Sequence, residues 1–158
     1  MYLPRTIENI IQSATKHFPA PFALIDMGDD GMPKVVLELT SGFDGAFEIL
    51  HYEDGKVYGF NRPYRGFLGL TSDGIYEGSS GAADSGFYTA SIKKDVYREK
   101  ALGYSVSGNG GTVSYHIGDS EATESEFGEF LERMWTHARE NEAVWHDFTS
   151  ENIASVFN

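Results

Sequence analysis

A chain of 158 residues matches one domain of ordinary size, and its 24 acids against 12 bases leave a formal charge of −12. That balance argues against nucleic acid or an anionic membrane as partner, since both need clustered lysine and arginine, and it leaves basic proteins or cations as the partners that electrostatics would steer inward. There is no cysteine, which excludes disulfide scaffolds, thiol catalysis and cysteine zinc sites.

The elements follow in chain order. Residues 3–18 read as an amphipathic helix: Pro4 suits the first turn, Ile7, Ile10, Ile11, Ala14 and Phe18 recur at helical spacing, and Pro19 and Pro21 end it. This segment lacks a signal peptide's continuous apolar core, and no run approaches the roughly 18 apolar residues of a membrane span. With no membrane span and no signal peptide in view, the chain reads as a cytoplasmic or a trimmed cell-envelope or extracellular protein.

From 22 to 117 the period shortens to that of strands. The β-prone runs FALIDM, KVVLELT, AFEILHY, KVYGFN, GFLGLT, GIYEG, GFYTASI, GYSVSG and TVSYHI are separated by turn chemistry at Asp54-Gly55, Asp73-Gly74 and Asn109-Gly110-Gly111. Spacings of about ten residues leave no room for the crossover helices of a parallel sheet, so an antiparallel meander is expected. Residues 79–86 (SSGAADSG) read as a surface loop within it. Thr123 opens a second helix with a capping box completed by Glu126, and Phe127, Phe130, Leu131, Met134, Trp135 and Ala138 share the face expected to pack on the sheet. A short extended segment, AVWHDF, and a last helix capped by Thr149 close the chain. The expected fold is α+β: one domain over 1–158, with an antiparallel meander sheet packed against an N-terminal and a C-terminal amphipathic helix.

Three places carry the residue types of chemistry. The acidic loop around Asp26, Asp29 and Asp30 places carboxylates near a glycine turn, as calcium loops do. Against that geometry Gly28 stands where a carboxylate is expected, and Lys34 can place its own ammonium in the cation's space. The alternative is a polar turn whose aspartates bond backbone N–H groups. Arg62, Tyr64 and Arg65 form the one basic spot of the sheet region, able to grip a carboxylate or phosphate or, alternatively, to pair with nearby acids. Ser79, Ser80 and Asp84 invite a nucleophile reading with His51 or His116 as base, but the spacing is not that of a nucleophile elbow, and small residues there also admit a partner's backbone. No histidine pair has zinc spacing.

The segments FALIDMGDDGMPKVVLEL, FDGAFEILHYEDGKVYGF, PYRGFLGLTSDGIYEGSSGAADSGFY and VWHDFTSENI resemble a group of uncharacterised small bacterial proteins, mostly predicted exported proteins or lipoproteins of Gram-positive gut bacteria, with a D-x-D-G-D-G-x-P-E acidic loop. The resemblance implies a shared fold and a cell-envelope home, with no activity to carry over. Three function classes follow: a non-enzymatic acidic module binding a basic protein partner, of the immunity-like or envelope accessory kind; a small-ligand or calcium-binding domain using Asp26 to Asp30; and a hydrolase. Charge and the absence of catalytic spacing favour the first.

Overall fold

The computed structural model describes residues 21–28, 30–39, 45–81 and 83–157. The helix expected over 3–18 lies outside them, as does Asp29. Among the described residues nine strands form two antiparallel meanders. The first sheet holds β1 (Phe22–Ile25), β2 (Lys34–Glu38), β3 (Ala46–Glu53) and β4 (Lys56–Pro63) in that order. The second holds β5 (Tyr76–Gly81), β6 (Asp84–Lys93), β7 (Val96–Ser107), β8 (Val113–Ile117) and β9 (Ser120–Ala122). Helix α1 (Glu124–Glu140) and helix α2 (Ser150–Phe157) follow. The α+β class and antiparallel pairing are as expected, but the single meander is split into two sheets.

The split has a local cause. β4 ends at Pro63; the Tyr64 N–H makes one last bond, to Gly45 O at 3.0 Å, and the chain then turns away through a 3-10 turn, Tyr64–Gly66. The run GFLGLT that follows is no strand. It is a connecting loop held by two-way backbone bonds between Leu68 and Glu77. Conversely, residues 79–81 and 84–86 are not loop but the facing ends of β5 and β6, with a register shift between Ser79 and Gly81.

Alternation along the strands places the sheets face to face. Ala23, Ile25, Val36, Phe47 and Ile49 of the first sheet share a core with Tyr76, Ala90 and Ile92 of the second. The opposite face of the first sheet buries Phe22, Val35 and Leu37 against Ile153 of α2. The opposite face of the second sheet buries Phe87 against Phe127 and Phe130 of α1. The order of layers is therefore helix, sheet, sheet, helix, and each buried ring contributes about 1.5–3 kcal/mol.

Helix α1 begins where its capping box requires. Thr123 Oγ1 accepts from the Glu126 N–H at 3.3 Å, and Glu126 Oε2 accepts from the Thr123 N–H at 2.8 Å. The Thr123 N–H and the Thr123 hydroxyl, which donates to the same Oε2 at 2.7 Å, hold the Glu126 carboxyl below the usual carboxylate range. Gly103 of β7 lets the helix come close, because a Cβ built there would lie 2.4 Å from Phe130 Cε1. After α1 the chain returns along the first sheet: Ala143 N–H donates to Leu70 O, and Phe22 and His146 exchange backbone bonds at 2.9 and 2.8 Å.

Candidate functional site

The return of the chain after α1 opens a groove of about 480 Å³ between the helix and the sheets. One wall is the end of α1, where Trp135, Ala138 and Arg139, with Glu142 just beyond, fall at spacings of three and four. The other wall is built by Phe47 of β3, Tyr64 of the 3-10 turn and the connecting loop from Phe67 to Leu70. Glu38 from the end of β2 and Glu77 of β5 add carboxylates, and Phe87 and Trp145 complete the lining.

Phe47 is the hub of this aromatic wall. Its ring stacks on Tyr64 at 6.0 Å and 11°, and meets Phe67 at 5.4 Å and Trp145 at 6.0 Å. The rings are held by elements that backbone bonds fix: Leu68 to Glu77, Ala143 to Leu70 and Ser72 to Asn141. The wall is thus formed before any ligand arrives. Trp135 is 37% exposed, a large apolar surface left bare at the rim.

The electrostatics are one-sided. Three carboxylates, Glu38, Glu77 and Glu142, face one guanidinium, Arg139. Among the described residues none of the three carboxylates makes an ion pair or a side-chain hydrogen bond, and Arg139 bonds only Thr136 Oγ1, at 3.0 Å. Both tryptophans of the chain lie here.

The basic spot is divided between two tasks. Tyr64 lines the groove, whereas Arg62 turns away and binds Glu99 Oε2 at 2.6 Å, with its guanidinium 5.0 Å from the Tyr97 ring centroid. Glu99 Oε2 also accepts from the buried Tyr76 hydroxyl at 2.6 Å, and Tyr76 and Tyr97 share a 2.8 Å bond between hydroxyls. This network ties β4 to β5 and β7 across the sandwich. Burial first, then the bond to Glu99 and the Tyr97 contact, push the Tyr76 hydroxyl's pKa far up. Arg65 is exposed and unpaired among the described residues, so Arg62, Tyr64 and Arg65 do not converge on one anion.

The serines do not meet a base. Ser79 Oγ donates to Gly81 O, Asp84 Oδ1 accepts from the Ser107 N–H, and His51 and His116 are engaged elsewhere. His116 stacks on Tyr104 at 4.7 Å; His51 contacts Glu53 Oε2 at 3.0 Å through Nε2, and its buried Nδ1 has no partner among the described residues. Ser80 is exposed in β5. His137 contacts Asp73 Oδ2 at 2.9 Å.

In the acidic loop the Lys34 side chain is wholly buried and its Nζ donates to both Asp30 oxygens, at 2.8 Å each, and to Met32 O at 2.5 Å. Asp30 Oδ1 also accepts from the Met32 N–H at 3.0 Å, the bond of a polar turn. Burial alone would raise the Asp30 pKa; the bonds from Lys34 and Met32 outweigh it and hold the carboxyl below the usual range. Asp26 is exposed and lines a separate hollow with Asp73 and Lys100. Among the described residues no three histidine or carboxylate side chains are placed to hold a metal ion together.

Sequence reasoning named Tyr64 and the α1 face but missed the groove, whose lining spans positions 38 to 145. The only available signal was the density of aromatic residues. Comparison with family models, with curated proteins and with solved structures finds no match.

Proposed function

We propose that the chain is a non-enzymatic acidic binding module whose groove takes a basic segment of a protein partner, in the manner of an immunity-like or envelope accessory protein. The observation that carries this reading is the pairing of partly exposed aromatic rings with uncompensated carboxylates: Trp135, Tyr64 and Trp145 beside Glu38, Glu77 and Glu142. A lysine or arginine side chain entering there gains ring contact worth about 0.5–2 kcal/mol per cation–π pair and meets carboxylates that need no other partner displaced. The −12 charge of the whole chain speeds the encounter, and does so most at low salt.

Calorimetry with a short peptide of lysines, arginines and alanines tests the proposal, with the same peptide carrying glutamates in place of its basic residues as control. Binding of the basic peptide is expected, falling with salt, and weakened about tenfold or more when Glu38→Gln and Glu142→Gln are combined. Equal binding of both peptides, or of both protein forms, contradicts it.

A further inference from the structure

The geometry points to a narrower ligand for this groove: the C-terminal end of a polypeptide that finishes in lysine or arginine. The inference rests on the reading of the groove as a site for basic segments. It begins from the one lining group that such a site would be better without, Arg139.

Arg139 lies in the last turn of α1, beside the carboxylates yet with none within ion-pair distance, and only its Nη2 is engaged, by Thr136 Oγ1 at 3.0 Å. A guanidinium carries five N–H donors in a planar fork, so this one keeps most of its donors unused. The fork matches a carboxylate with two parallel bonds. The rest of the groove is suited to the opposite charge, with Glu38, Glu77 and Glu142 around the aromatic wall.

A ligand satisfying both halves must bring an anion and a cation close together with an apolar stem between them. An internal basic residue lacks the anion, because its carbonyl is an amide. A chain-terminal lysine or arginine has all three parts: an α-carboxylate for Arg139, a methylene stem for the rings, and a cationic head for the glutamates. A groove of about 480 Å³ suits a residue or two of a chain end and falls within the usual size of small-ligand sites.

The test uses the full chain and two peptides of one sequence ending in lysine, one with a free C-terminal carboxylate and one amidated, followed by calorimetry. The free acid is expected to bind about tenfold more tightly than the amide, and the gap is expected to close in Arg139→Gln, whose exposed position leaves folding intact, as its melting temperature checks. Equal binding of acid and amide overturns the inference while the wider reading of the groove stands. A gap that persists in Arg139→Gln overturns the role given to Arg139. Failure of both peptides to bind overturns the inference together with the reading it rests on.

Discussion

The buried pair in the acidic loop makes an asymmetric prediction. Lys34 is wholly buried, and its three acceptors account for all three ammonium protons. Asp30→Asn takes away the charge and strands a cation in the sandwich. Removing one partner of a buried pair costs about 3–5 kcal/mol, but the Asp30 side chain is 37% exposed, so water repays part of it and about 2–3 kcal/mol is the expected loss. Lys34→Met keeps an unbranched stem and leaves Asp30 in water, so a change of less than about 1 kcal/mol, of either sign, is expected. For a domain of this size those figures correspond to a fall in Tm of about 4–12 °C for Asp30→Asn, against less than about 4 °C for Lys34→Met. Thermal melts with urea titration at neutral pH read both. Equal losses, or a neutral Asp30→Asn, refute the reasoning, because the ammonium would then be solvated rather than stranded. The pH dependence has a definite sign. The folded Asp30 pKa is lowered, so its contribution is present above the ordinary aspartate value and is lost as pH falls through the lowered one. Lys34→Met is expected to reduce that acid loss, leaving the part that the Met32 N–H holds. Calcium against chelator is expected to leave the parent Tm unchanged, since the ammonium holds the Asp30 oxygens; a rise of several degrees would mean that the ion displaces it.

Gly103→Ala sets a methyl against Phe130, from which a Cβ would stand 2.4 Å, and is expected to cost about 1–3 kcal/mol by overpacking; a urea midpoint unchanged from the parent contradicts the close seat of α1. Tyr76 has a folded pKa raised by burial first and then by Glu99 and Tyr97, so the unfolded chain ionises first above about pH 10 and stability falls by up to about 1.4 kcal/mol per pH unit for that group. In Tyr76→Phe the alkaline slope of unfolding free energy is expected to be shallower by one proton, and an unaltered slope counts against the buried network.

Local rules were legible in the sequence wherever one residue type has one physical use. The Thr123–Glu126 capping box forms as written, and Asp54 and Gly55 take φ of 51° and 79° in the tight turn between β3 and β4. Thr149 caps α2 by accepting from the Asn152 N–H at 3.1 Å. The turn between β6 and β7 was hidden because Lys94, not a glycine, takes φ of 52° there. Its ammonium is held by Asp54 at 3.0 Å and its N–H by Glu53 at 2.7 Å, contacts that strand spacing does not reveal. The first half of β7, VYREKAL, was masked by its charges. The division into two sheets was also invisible, since alternation says which residues share a face and not which sheet lies opposite. Lys34 inverts the usual exposure of lysine, and its acceptors had to be seen in place. The groove was least legible, since Glu38, Glu77 and Glu142 become neighbours only once both sheets and α1 are assembled.

Trp135 and Trp145 are the chain's only tryptophans and both line the groove, so their indole N–H resonances report on it directly in protein labelled with ¹⁵N-tryptophan. During titration with the basic peptide, both indole signals are expected to move along a single saturable curve that matches the calorimetric one. Calorimetric binding with both signals stationary would place the partner elsewhere on the molecule and contradict the groove as its seat.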